Sequence, residues 1–111
     1  MGEPVRDYVC LDLETTGLRP KFDKIIEIGA ARVRGGKIEE TFETFVRPGI
    51  ALPERIAELT GIEEKDLDGA PSIGEVLPAF LAFARDLPFL GHNVGFDYAF
   101  LKRAAVNAGI G

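Results

Sequence analysis

The sequence predicts a mixed β-sheet with helices packed on its faces, because of the order in which strand-like and helical segments occur. Three strand-like segments come first; two helical segments, one short strand and a final helix follow. The composition agrees with one globular domain, since 46% of the 111 residues are apolar and 28% are charged. The expected class is therefore α/β, with an antiparallel three-strand meander at its start.

The meander is predicted from the first 46 residues. An apolar run over residues 8–13 is followed by a second run over residues 25–33 that is rich in Ile, Ala and Val. Gly35 and Gly36 connect the second run to residues 37–46, where apolar and charged side chains alternate. Two β-rich runs joined by two glycines are typical of a hairpin.

The remaining chain is predicted to form helices around one more strand. A short helix is expected over residues 53–60, with proline in its first turn and glycine after its end. Ser72 and Glu75 have the spacing of a capping box, and apolar residues follow at helical intervals. Residues 88–91 are expected to form a short buried strand, and residues 93–108 a helix.

Asp12 and Glu14 are the first residues that a purely structural interpretation does not explain. Side chains two apart on a strand share a face, roughly 7 Å apart. The strand is otherwise apolar on both faces, which is typical of a central strand covered on both sides. Two carboxylates there repel each other, and a divalent cation relieves that repulsion. The alternative is that water solvates the pair at the strand end.

Asp97 is the second such residue, because it lies within the apolar stripe of the final helix. At about 100° per residue, its neighbours on the helical wheel are Val94, Phe100, Leu101, Ala104 and Ala108. A buried carboxylate is unfavourable unless it is paired or binds a metal ion. The alternative is a carboxylate that caps the start of the helix.

His92 is the only imidazole, and it stands where the predicted strand passes into the final helix. Loops at the carboxyl ends of strands are where α/β sheets usually place their sites. The alternative is a structural histidine held by hydrogen bonds. Cys10, Tyr98 and most phenylalanines are expected to pack in the core.

In combination, these residues resemble the motifs of the DEDD 3′→5′ exonucleases of the DEDDh type, as in the proofreading epsilon subunit of bacterial DNA polymerase III. Residues 12–18, DLETTGL, resemble the first motif of that family, and residues 91–101, GHNVGFDYAFL, resemble the second. The segment 53–62, followed by residues 70–72, resembles the connection between the motifs in the polymerase-associated branch.

The resemblance implies a ribonuclease H-like fold, in which a fourth strand runs parallel beside the first. It also implies two divalent ions, Mg²⁺ or Mn²⁺, that hydrolyse phosphodiester bonds. The position matching Asp12 would bridge both ions, Glu14 would bind the ion that activates water, and Asp97 would support the second ion. The implied substrate is the 3′ end of single-stranded DNA, with RNA as an alternative and a DNA polymerase subunit as a partner.

A nucleotide pocket formed by both motifs is a further implication of the resemblance. The residues expected to line it are Thr15, Thr16, Gly17, Leu18, His92, Asn93 and Phe96. The backbone of the first four would cradle the terminal nucleotide, and Leu18 would pack against its base. A net charge of −5 is compatible with this, since such a site holds only a few nucleotides and needs no broad basic face.

The sequence departs from the family pattern after Leu101. The family has a third motif there, a His or Tyr followed about five residues later by an Asp, and the remaining residues contain neither His, Tyr nor Asp. Residues 1–111 are therefore expected to form a single ribonuclease H-like domain that lacks its C-terminal third and turns over poorly alone. The alternative is a non-catalytic module of the same fold that binds nucleic acid or docks on a polymerase.

A cytoplasmic location is expected from three features of the sequence. A single cysteine excludes a disulfide framework within the chain. The N-terminal residues lack the basic start and apolar run of a signal peptide. No stretch approaches the ~18 apolar residues of a membrane helix, so no membrane partner is expected.

Overall fold

The computed structural model describes residues 6–109, which form one four-stranded sheet and four helices. The strands are β1 Tyr8–Thr15, β2 Ile25–Arg34, β3 Lys37–Phe45 and β4 Phe89–Leu90. The helices are α1 Glu54–Thr60, α2 Glu64–Asp68, α3 Ile73–Ala84 and α4 Val94–Asn107. None of the helices within this range is long and apolar enough to cross a membrane. The expectation about a leader concerns in part residues 1–5, which lie outside the described residues.

The sheet has the order β3-β2-β1-β4, so β1 is a central strand. β2 pairs antiparallel with both β1 and β3, whereas β4 runs parallel to β1. The expected meander with a parallel fourth strand is thereby confirmed. The register sets Asp12 opposite Gly29 and Glu14 opposite Glu27, and it shifts between Glu14 and Thr15 where the strand ends.

The main core lies between one face of the sheet and the helices α3 and α4. Val9, Leu11 and Leu13 alternate along β1 and are all buried on that face. Phe80 of α3 and Phe100 of α4 are the largest fully buried side chains packed against them. A second, smaller cluster lies under α1 and α2, and it consists of Ile26, Leu52, Ile62 and Leu67.

The helix ends follow local rules. Ser72 and Glu75 form the expected capping box of α3. Gly61 ends α1 with a φ of 78°, a left-handed conformation that glycine adopts without a Cβ penalty. Helix α2 was not predicted, because five residues are too few to establish a 3.6-residue period. A capping box between Glu63 and Asp66 marks its start.

Four burial expectations are wrong within residues 6–109: cover on both faces of β1, burial of β4, and the core positions of Cys10 and Tyr98. Cys10 and Asp12 are exposed, so β1 is covered on one face and open on the other. Leu90 of β4 is 42% exposed, and Tyr98 of α4 is 54% exposed. An apolar side chain indicates a tendency to be buried, but whether another element covers it depends on the tertiary arrangement.

A buried arginine, which the sequence did not indicate, joins β2 to β3 and α3. Arg32 is 5% exposed and donates hydrogen bonds of 2.7 Å to Glu39 and 2.9 Å to Glu40. Its third bond, of 2.8 Å, goes to the carbonyl oxygen of Phe83, whose ring lies under the guanidinium. Each of its three guanidinium nitrogens donates one hydrogen bond, and together these bonds hold β2 against β3 and α3.

Candidate functional site

Three carboxylates gather where β1 ends and α4 begins. Asp12 and Glu14 alternate with buried leucines along β1, so both project from the same face of the strand. Asp97 lies in the first turn of α4, at one edge of the core, and is only 5% exposed. The helix N-terminus favours an anion, but weakly compared with the penalty of burying one.

The charges of these carboxylates act on one another. Burial raises the pKa of Asp97 to about 6, and the neighbouring charges of Asp12 and Glu14 contribute to the increase. The pKa of Glu14 is raised by burial and then by Asp12. These couplings bring the three sequence-predicted carboxylates into one electrostatic unit, in which a proton or a cation relieves the repulsion.

Glu27 is a fourth acidic residue at this site, and sequence reasoning missed it. It lies directly across from Glu14 in the β1–β2 register. Its pKa is raised by burial and by the charges of Glu14, Glu43 and Asp12. Only the register reveals this proximity, because Glu14 and Glu27 are far apart along the chain and belong to different strands.

Gly91 allows the connection between β4 and α4 to pass close to the backbone of β1. A Cβ at position 91 would lie 2.6 Å from the carbonyl oxygen of Leu11 and 3.6 Å from Oδ2 of Asp97. The contact with Leu11 involves backbone, which cannot swing aside. Glycine is therefore required where β4 passes into α4, and it positions Asp97 beside β1.

Carboxylate oxygens are the ligands that Mg²⁺ and Mn²⁺ prefer, so the donor set of Asp12, Glu14 and Asp97 fits a divalent ion. Their mutual repulsion is a second reason that a cation fits there. Within residues 6–109, however, no three such side chains already stand close enough to hold an ion. Simultaneous ligation by all three therefore requires side-chain movement.

A cavity of about 570 Å³ opens beside Glu14. The sequence-predicted pocket residues that line it are Thr15, Thr16, Gly17, Leu18 and Phe96. Its opposite wall comes from α1 and includes Arg55 and Leu59. Leu18 and Leu59 flank the cavity and are 81% and 78% exposed. Sequence reasoning missed the α1 wall, since nothing in a short helix indicates which loop it faces.

His92 and Asn93 lie outside this cavity. His92 lines a shallow groove of about 370 Å³ on the open face of the sheet, together with Asp12 and Gly91. Asn93 is exposed at the start of α4, where its carbonyl oxygen accepts the backbone N–H groups of Phe96 and Asp97. The structure therefore places five of the expected pocket residues at the cavity beside Glu14 and His92 at the groove, whereas Asn93 lines neither.

The loop after β1 is held by Thr16 and Asp23. The buried Thr16 hydroxyl donates to Asp23 at 3.1 Å and accepts the backbone N–H of Lys24 at 2.9 Å. The same carboxylate accepts the backbone N–H of Arg19 at 2.9 Å. A Cβ at Gly17 would collide with that carboxylate. Thr16, Gly17 and Asp23 thus fix the shape of the cavity wall together. The sequence did not indicate this role for Asp23.

The mixed sheet, the acidic cluster at the end of its central strand and the adjoining cavity together define a nuclease-type domain. The chain belongs to the RNase T exonuclease family, whose model, described as "Exonuclease", matches residues 9–109.

Similar proteins include components named DNA polymerase III. The chain is 44% identical over 103 residues to DNA polymerase III PolC-type of Clostridium perfringens and 46% identical over 96 residues to DNA polymerase III subunit epsilon of Aquifex aeolicus. These matches cover 93% and 86% of this chain. The chain spans 7% of the PolC-type protein and 48% of the epsilon subunit.

Solved structures of exonuclease I share the fold. The apo form has a TM-score of 0.81 at 17% identity over 93% of this chain and 25% of its own chain. A product-bound form has the same TM-score at 18% identity over 93% of this chain and 26% of its own. The expected ribonuclease H-like fold is confirmed by this likeness.

Proposed function

We propose that the domain hydrolyses phosphodiester bonds at the 3′ end of single-stranded DNA with two divalent metal ions, Mg²⁺ or Mn²⁺. The observation that carries the proposal is the electrostatic unit of Asp12, Glu14 and Asp97 beside a cavity of about 570 Å³. That volume lies within the range of sites for small molecules, about 300–1,000 Å³. Membership in the exonuclease family supports the same conclusion.

When bound, the metal ions would stabilise the negative charge on the oxygen of the attacking water and on the leaving oxygen of the phosphodiester. Asp12, Glu14 and Asp97 would hold them. The loop from Thr15 to Leu18 would orient the terminal nucleotide, with Leu18 against its base. His92, Asn93 and Phe96 would approach the same nucleotide from the other motif.

Turnover by the 111-residue chain is proposed to be slow, because it lacks a dedicated general base. Its single imidazole, His92, is assigned to substrate binding, and neither His nor Tyr follows Leu101. A general base typically contributes 10²–10⁴-fold to the rate. Metal-dependent hydrolysis should therefore remain measurable over long incubations at high enzyme concentration.

Hydrolysis of an end-labelled oligonucleotide tests the proposal. With Mn²⁺, a 3′-labelled single strand should release its label as a mononucleotide, and a 5′-labelled strand should shorten stepwise from its 3′ end. Asp12→Asn should abolish both, because it removes one metal-binding charge while keeping the side-chain shape. Asp86→Asn is the matched control, since it removes an exposed carboxylate from the turn before β4, at the other end of the sheet. Equal activity in the Asp12→Asn variant would contradict the site.

A non-catalytic nucleic-acid-binding or polymerase-docking module is the second candidate, and it is supported by the spacing of the acidic side chains, no three of which stand close enough within residues 6–109 to hold an ion. It predicts that single-stranded DNA binds without any release of nucleotides at any metal concentration. The same labelled strands distinguish the two candidates, because binding is read from a gel shift and hydrolysis from the ladder of products.

We also propose a cytoplasmic role beside a DNA polymerase. The relatives support the link to a polymerase, since their names include DNA polymerase III PolC-type and DNA polymerase III subunit epsilon. DNA is the proposed substrate for the same reason. An RNA strand of identical sequence tests this preference, because only the 2′-hydroxyl differs along the backbone. Faster hydrolysis of the RNA strand would contradict it.

A further inference from the structure

A second, smaller cavity of about 70 Å³ lies next to the one beside Glu14, and Asp23 lines both. Three cationic side chains line the smaller cavity: Lys24, Arg47 and Arg103. Asp23 is the only carboxylate among its lining residues. We call this second cavity the cationic cavity.

The positive charge of the cationic cavity is not matched by the protein. Across residues 6–109, no carboxylate lies within 4.0 Å of the charged nitrogens of Lys24, Arg47 or Arg103. The carboxylate of Asp23 already accepts hydrogen bonds from Thr16 and from the backbone of Arg19. A chain with 18 acidic and 13 basic residues does not lack carboxylates, so the unpaired cluster of cations needs another explanation.

Arg103 gives the second, independent indication. Its Nε atom is buried and has no hydrogen-bond acceptor within the described residues. A buried N–H without an acceptor is unfavourable, and native structures usually provide one. A water molecule or an anion would supply that acceptor, and the surrounding cations favour the anion.

We propose that the cationic cavity binds one phosphate group, with Arg103 as its principal ligand and Lys24 and Arg47 as supporting charges. An arginine fork matches the geometry of phosphate oxygens, and lysine adds a point charge. The cationic cavity is much smaller than the cavity beside Glu14, and this suits a single oxyanion better than a whole nucleotide.

The position of the cavity suggests where the phosphate comes from, and this step rests on the proposed nuclease function. Arg103 follows Asp97 by six residues on α4, which is about 9 Å along the helix axis. Asp23 lines both cavities, so a strand whose 3′ end lies beside Glu14 and Asp97 passes close to the cationic cavity. The group we assign to the cationic cavity is an internal phosphate of that strand.

Salt dependence of binding tests the strand as the source. Binding of a short single-stranded oligonucleotide is measured by fluorescence anisotropy between low and moderate KCl, with EDTA present to prevent hydrolysis. Arg103→Gln should lower the slope of log K against log [salt] by up to about 0.7, because the cavity holds one phosphate, and Arg47→Gln should produce a smaller part of the same change. Arg47 is exposed, so its replacement tests the cavity even if Arg103→Gln fails to fold.

Lys102→Gln is the matched control, since it removes one positive charge from the neighbouring exposed position of α4, which lines a different, apolar groove. Its slope should equal that of the parent chain. Equal changes in the Arg47, Arg103 and Lys102 variants would overturn the proposal, because charge anywhere on the surface would then explain the binding.

Inorganic phosphate and a nucleoside monophosphate are the probes for a free source. If either raises the melting temperature in an Arg103-dependent way, the oxyanion site stands, and an unchanged DNA salt slope would identify free phosphate rather than the strand. If neither probe nor DNA responds to Arg103, the cavity is not an anion site. All these readouts can be repeated in Asp12→Asn, which changes the proposed metal site and leaves the lining of the cationic cavity unchanged. A failure of the proposed hydrolysis is therefore distinguishable from a failure of the anion site.

Discussion

Asp97 has the environment least suited to an ordinary carboxylate. It is 5% exposed, it faces two other acidic residues, and its pKa is about 6 instead of 3.8. A protein gains no stability from such an arrangement, since both burial and repulsion oppose the charged form. Residues that are unfavourable for folding often belong to functional sites, where a ligand compensates for the cost.

The first prediction concerns the stability of Asp97→Asn without metal. Because the folded-state pKa lies above the unfolded one, the folded chain binds more protons between pH 4 and pH 6, and stability falls as the pH rises through this range. The amide introduced by this substitution carries no charge, so the variant should be about 1–3 kcal/mol more stable than the parent at pH 7.5 and show little gain at pH 4. Urea unfolding in EDTA at both pH values measures this.

Asp86→Asn is the control for that measurement, because Asp86 is exposed and should change stability little at either pH. A loss of stability in Asp97→Asn at pH 7.5 would mean that the carboxylate is held by favourable contacts instead of being repelled.

How far the sequence predicted the site differs from residue to residue. Asp12, Glu14 and Asp97 were recognisable because each interrupts an apolar pattern on its own strand or helix. Glu27 and Asp23 were not, because their importance arises from a cross-strand register and from a loop closure. The pattern of residue types along the chain reveals a charged residue within an apolar segment, but it does not reveal two residues that folding brings together.

Between the residue and the whole fold, the junction of β4 with α4 is the most constrained connection. Gly91→Ala should destabilise the protein by several kcal/mol, because its Cβ would lie 2.6 Å from a backbone oxygen of the central strand. Chemical denaturation measures the loss. The same substitution at Gly95 is the matched control, since no neighbouring atom lies within 4 Å of a Cβ there. Gly95→Ala should be neutral or stabilise by up to about 1 kcal/mol, through helix propensity. Similar losses in both variants would contradict the close approach at Gly91.

Strand β2 offers a second test at the level of elements. Arg32→Ala should cost roughly 1–3 kcal/mol, because it removes three hydrogen bonds that join β2 to β3 and α3. Arg34→Ala, two residues further along the strand, should cost little. Arg34 is 40% exposed in its side chain and lies 3.9 Å from Glu39, a weak surface pair. Thermal unfolding of the two variants should differ clearly, and equal melting temperatures would exclude a stabilising role for the buried arginine.

Elements with a strong local signal were predicted well, and those that depend on neighbours were not. The hairpin with its two glycines, the capping box of α3 and the glycine that ends α1 all follow from short-range rules. The short helix α2 and the exposure of β4 do not follow from such rules. Five residues establish no helical period, and whether a strand is buried depends on elements that are distant in the sequence. The expectation of a single domain lacking its C-terminal third stays a prediction.

For the molecule as a whole, charge is distributed unevenly. A chain of net charge −5 concentrates carboxylates at the end of β1 and leaves three cations around the cationic cavity nearby. Such a pair of sites suits an anionic substrate. The cations would contact one of its phosphate groups, and metal ions would offset the charge of the carboxylates at its reacting end. The bulk acidic charge is thus compatible with nucleic-acid binding that is confined to a few contacts.

Binding of Mn²⁺ to the 111-residue chain, followed by the electron paramagnetic resonance signal of the free ion, tests the central claim most directly, because it does not depend on a general base. The parent chain and Asp86→Asn should both remove Mn²⁺ from solution saturably, and Mg²⁺ should displace it. Asp12→Asn should bind at least about tenfold more weakly, since it loses one carboxylate of the set. Equal Mn²⁺ binding by the parent and Asp12→Asn would contradict a metal site at the end of β1.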